Sequence, residues 1–180
     1  MGVSRNLSRA PTASLRDRLR RLLTEPVRQA AAIARHPPAV DLVHTTNVTP
    51  KVDRAGRSPL FYAALEGRAA DVAAYLQEHG DEVNSADKDG FTPLHFAAQQ
   101  QHADVAALLI EAGADLNARN KFGNTPLSGA LFNVRDRDGE VIHVLLDAGA
   151  DPDVENNYGV SPRGLATKVA NYDLMRFFRD

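Results

Sequence analysis

Residues 87–119 read DKDGFTPLHFAAQQQHADVAALLIEAGADLNAR. Asp87 to Gly90 is a turn, whose glycine supplies positive φ at the tip without a Cβ penalty. Thr92-Pro93 is a helix start: the hydroxyl caps orphan N–H groups and the proline presets φ. A short Ala-rich helix follows. A second helix carries Val105, Leu108 and Leu109 to a Gly113-Ala114-Asp115 stop. The same order recurs on both sides. Gly56, Gly90, Gly123 and Gly159 stand 34, 33 and 36 residues apart, and Pro59, Pro93, Pro126 and Pro162 keep those intervals. A period near 33 residues predicts units of two helices and a turn. One such unit cannot bury its apolar face alone, so neighbours must stack.

The outer units keep the grammar. Ala63-Ala64, Ala97-Ala98 and Ala130 are small enough to let neighbouring helices approach. Second helices supply Val72 and Leu76, then Val141, Val144 and Leu145, with glycine stops expected at Gly80, Gly113 and Gly149. With GFTPLHFAA and VAALLIEAGADLNA in its second unit, the chain resembles the ankyrin repeat family over about residues 51–180. The resemblance implies an all-α ankyrin-repeat solenoid with β-turn fingers. Its units fall at about 53–86, 87–119, 120–155 and 156–180, behind an extension at 1–50.

Departures from the family pattern are local. Phe61 and Ser128 occupy the place of His95, a residue that by resemblance bonds to the backbone of neighbouring turns. The first unit reads as carrying one extra residue between its helices, and the third about three extra within Asn133–Glu140. Arg163 replaces a buried leucine and the last unit has no Gly-Ala-Asp stop, as expected of a cap whose outer face stays wet.

Composition narrows the chemistry. Hydrophobic content of 43% with 6% aromatics and no Trp suits thin stacked helices built from Leu, Val and Ala. Zero cysteine excludes disulfide scaffolds, thiolate metal clusters and thiol nucleophiles, and fits a reducing, cytoplasmic setting. No run approaches the length of a membrane span. The net charge of −2 hides a segregation: residues 1–45 hold eight Arg and three acids, +5, so the remainder carries −7. Within that extension, Ser14 to Asp17 reads as a capping box ahead of Leu15, Leu19, Leu22 and Leu23. Pro26 opens a second helix that His36-Pro37-Pro38 stops. The extension reads as a loosely ordered segment or a cover for the first unit. A targeting segment, or a contact with anionic membrane or nucleic acid, is the alternative.

Nothing in the sequence converges on a reaction. His102 and His143 have no histidine four residues away, and no nucleophile elbow, phosphate-binding loop or dinucleotide fingerprint occurs. Ser85 to Gly90 imitates a calcium loop, but its closing ligand would fall on Phe96, which cannot ligate. The expectation is therefore a non-enzyme without cofactor, metal or small-molecule substrate, probing another protein as a monomer. By family position, the resemblance puts Arg57, Lys88, Phe91, Lys121, Phe122, Asn124 and Tyr158 at the turn tips of a concave stripe, to which the first helices add Gln99, Phe132 and Asn133. Aromatics mixed with Arg are the usual anchors of a partner. By family analogy, an inhibitor or antitoxin-like protein that covers another protein's active site is one form of this reading. An adaptor recruited through its basic extension is another.

Overall fold

The computed structural model describes residues 52–134, 138–168 and 173–179. Among the described residues there are seven α-helices, six of them in hairpins: α1 Pro59–Glu66 with α2 Ala69–Glu78, α3 Pro93–Gln100 with α4 Ala103–Glu111, and α5 Pro126–Asn133 with α6 Glu140–Asp147. The helix α7, Pro162–Lys168, pairs with a 3-10 turn at Leu174–Phe178. Among the described residues there is no strand. First helices pack in the order α1, α3, α5, α7 and second helices in the order α2, α4, α6, giving two layers with the core between them. The helices predicted at residues 14–24 and 26–35 lie outside the described residues, as do 135–137.

Helices of eight to ten residues are marginal alone in water, so stacking holds them. Leu60, Leu94 and Leu127 are completely buried at the same place in successive units. Ala64, Ala98 and Ala130 are equally sealed, which is what lets the first helices lie close. Each of these three helices opens on proline behind an extended Ser58, Thr92 or Thr125. Thr125 Oγ1 accepts the Ser128 N–H, whereas the Ser58 hydroxyl makes no cap bond. All four tip glycines lie at positive φ, from 68° to 85°.

The stops follow one pattern with one exception. Gly113 and Gly149 are left-handed, and behind them Ala114 and Ala150 donate to Leu109 and Leu145, closing each helix end at 2.9 Å. Gly80 does not serve this way. The helix α2 closes at His79, whose N–H donates to the Tyr75 carbonyl, and residues Gly80–Asn84 continue as a 3-10 turn that buries Val83. That turn takes up the extra residue of the first unit. Between α1 and α2 there are two residues, Gly67 and Arg68, just as Gln101 and His102 link α3 to α4. The expected insertion between the first unit's helices is thus displaced to the exit of α2.

In the third unit six residues, 134–139, separate α5 from α6. Both ends of this link are pinned. Val134 is buried, and a Cβ on Gly139 would meet the Phe177 ring at 2.3 Å, so only hydrogen fits beneath that ring. Arg163 forks onto Asp153 and lies over the Phe178 ring at 5.3 Å, keeping its charge at the rim of the last unit.

Candidate functional site: the turn fingers and first helices

Each finger is built around one acceptor side chain. Asp53, Asp87, Asn120 and Asn156 all use Oδ1 to accept the backbone N–H groups two and four residues ahead, at 2.7–3.1 Å. Each sits three residues before a tip glycine, a signal present in the sequence and not used in choosing the site residues. The fingers are then bonded to one another through backbone. Lys88 donates to the Ala55 carbonyl, Lys121 to Asp89 and Asn157 to Phe122, at 2.7–3.0 Å. Buried or bridging backbone groups satisfied in this way leave little freedom for a finger to move alone.

Side chains reinforce each joint differently. Between the first and second units, Arg57 Nε and Nη2 both reach Asp87 Oδ2 at 2.9 Å, and the guanidinium lies 4.9 Å from the Phe96 ring centre. Phe61 meets Phe96 edge-on at 6.0 Å. Between the second and third units the tie is His95, which is 1% exposed. Its Nδ1 accepts the Thr92 N–H at 3.1 Å, so Nδ1 is the unprotonated nitrogen and Nε2–H donates to the Asn124 carbonyl at 3.0 Å. Burial pushes the His95 pKa down, holding the ring neutral and suited to this double role. Between the third and fourth units Asn156 Nδ2 donates to Asn124 Oδ1 at 2.8 Å, and Asn157 Nδ2 donates to the Lys121 carbonyl at 2.9 Å.

The ten expected contact residues divide accordingly. Arg57, Phe91, Gln99 and Asn124 face inward. Arg57 and Asn124 are the joint residues just described. Phe91 is half-buried, with its ring 5.6 Å from both His95 and Phe96. Gln99 packs its stem over Gly129, where an added Cβ would stand 2.9 Å from Gln99 Cγ. Lys121 is half committed, being paired with Asp89 at 2.9 Å and 5.0 Å from the Phe122 ring centre. Lys88 and Asn133 are exposed, the latter donating back to the Gly129 carbonyl. Phe122, Phe132 and Tyr158 are the outward aromatics, 40%, 53% and 74% exposed.

Such an array of bonded fingers on stacked helical hairpins defines a repeat protein that presents a continuous, preshaped surface. The family model for ankyrin repeats in three copies matches residues 28–120 and again 82–156, and the chain belongs to the ankyrin repeat family. Ankyrin repeats are generally protein–protein interaction modules. Alpha-latrocrustotoxin-Lt1a of Latrodectus tredecimguttatus is similar, 43% identical over 47 residues. That match takes in 26% of this chain and 3% of the relative, so the chain spans a small fraction of that protein's length. Among the described residues, no three His, Asp or Glu side chains are grouped to hold a metal ion, and no helix is long and apolar enough to cross a membrane.

Proposed function

We propose that the chain is a non-enzymatic binding module that docks a partner protein through its fingers and first helices, with Phe122, Phe132 and Tyr158 as anchors. One observation carries this reading: three large aromatics stand open to solvent on a framework whose fingers are already bonded to one another through backbone. An exposed aromatic ring offers a large contact area at the cost of few rotatable bonds, and desolvating it on binding is favourable. Lys88, Lys121 and Asn133 supply the polar rim. Arg57, Phe91, Gln99 and Asn124 shape the surface from beneath and contribute through geometry alone.

The test is affinity capture with the wild type and with Phe122→Ala/Phe132→Ala/Tyr158→Ala, followed by calorimetry on the captured protein. Loss of the partner with helicity unchanged by circular dichroism supports the assignment. Retention of the same partner at the same affinity moves the contact elsewhere on the chain. The +5 charge of residues 1–45 favours a second reading, an adaptor held to an anionic surface. It predicts binding to phosphatidylserine vesicles or nucleic acid that weakens steeply between low and high salt.

A further inference from the structure

The first described unit is open on the side away from the array. Pro59 is exposed, whereas Pro93, Pro126 and Pro162 at the matching places are buried. Tyr62 is 37% exposed where Phe96 is 9%. Ala74 is exposed where Leu108, at the matching place, is partly buried. Pro59 and Ala74 border a groove of about 360 Å³ floored by Ala63 and Tyr75, with Glu78 and the ion-paired Arg68 and Asp71 at its rim. A unit that ends an array carries polar residues on its outer face. This one presents proline, tyrosine and alanine, the residues of a unit that has a neighbour.

The chain itself supplies a neighbour in register. Pro26 stands 33 residues ahead of Pro59, and Val27, Ala30, Ala31 and Val43 stand 33 ahead of Leu60, Ala63, Ala64 and Leu76. In that register His36-Pro37-Pro38 falls on Ala69-Ala70-Asp71, the first turn of the second helix, where proline is tolerated. The family match opens at residue 28, well before the first described finger at Asp53. Glu25 in place of a hydroxyl cap, and no glycine between residues 3 and 55, account for the weakness of the pattern by eye.

We propose that residues 26–44 are a degenerate fifth repeat unit of this chain and occupy the open side of α1 and α2. The occupant is tethered directly to the groove's own unit, so docking is intramolecular and strongly favoured over a free ligand. The array then runs for five units, and the basic segment ahead of Pro26 begins at its end.

The experiment is hydrogen exchange on the full chain, wild type and Ala74→Arg. Arginine forms helix nearly as well as alanine, so on an open face this substitution leaves α2 intact. The wild type is expected to protect residues 26–44 about tenfold or more over unstructured rates. In Ala74→Arg that protection is expected to vanish while α3 to α6 keep theirs, which separates undocking from unfolding. Unprotected 26–44 in the wild type, or protection that survives Ala74→Arg, overturns the proposal. Sedimentation velocity completes the test: a dimer that Ala74→Arg dissociates would assign the groove to a second copy instead, whereas a monomer in both variants agrees with the tethered unit.

Discussion

The joint between the second and third units and the joint between the third and fourth do the same mechanical work with different chemistry. In the first, one buried neutral histidine holds its own helix start and the next finger together. In the second, Ser128 stands at the histidine's place and turns back to Thr125 at 3.3 Å, and the tie passes to Asn124 and Asn156 instead. The backbone bonds between fingers are the same in both. The comparison teaches that the repeat prescribes the backbone and the sealed leucine, while the side-chain tie is interchangeable provided every polar group finds a partner.

The largest effect should come from what the joints share. Leu94 is completely buried between units, and Leu94→Ala is expected to cost about 2–5 kcal/mol, from lost transfer energy and the cavity left behind. Urea unfolding should remain one transition with a lower midpoint. A change under about 0.5 kcal/mol would mean that the units are not stacked in this register. Next comes the polar tie between the first and second units. Asp87→Ala removes two finger bonds and leaves Arg57 without its partner, at an expected cost of about 2–3 kcal/mol. Arg57 is itself partly exposed, so solvent offsets some of that loss. An Asp87→Ala variant as stable as wild type would show that backbone bonds alone hold the joint.

A matched glycine pair sharpens the role of those backbone bonds. Gly123 and Gly159 lie at φ of 77° and 68°, so an alanine at either meets the same left-handed penalty of about 1–2 kcal/mol. Only at Gly123 does another finger press close, since an added Cβ would stand 2.7 Å from the Asn157 nitrogen. That nitrogen donates to the Phe122 carbonyl and cannot retreat without breaking the ladder. Thermal or urea unfolding should therefore find Gly123→Ala less stable than Gly159→Ala by about 1 kcal/mol or more. Equal losses would remove the finger ladder from the account of stability.

The array was legible in the sequence because tip glycine, helix-start proline and sealed leucine each serve a need that recurs in every unit. Its irregularities were less so. The extra residue of the first unit was expected between its helices and stands instead after the second, because a 3-10 turn at Gly80–Asn84 can take it up without any change in the helix pattern. Of the surface residues, Phe122, Phe132 and Tyr158 are exposed as their positions implied. Phe91 sits at the same finger position as Phe122 and yet turns inward, because His95 and Phe96 offer it aromatic partners. At the next unit Ser128 and Gly129 stand in their places and offer no ring to Phe122. Position in a repeat fixes where a side chain starts, and its neighbours in the adjoining unit fix where it ends.

The smallest expected effect bears most directly on the comparison of the two joints. Burial keeps the folded-state pKa of His95 below the ordinary 6.5, while the unfolded chain protonates near that value. Between the two values the unfolded state binds more protons than the native state, so stability falls as pH falls through that window and is level above it. Protonation would also place a hydrogen on Nδ1, facing the Thr92 N–H that it accepts in the neutral state. His95→Ser makes the joint between the second and third units chemically like the one between the third and fourth, which titrates nothing. Urea midpoints measured from pH 7.5 down to 5 should decline more steeply for wild type than for His95→Ser, although the variant starts from a lower midpoint. Parallel curves would show that His95 stays neutral or becomes charged without consequence, and the two joints would then differ in shape but not in their response to protons.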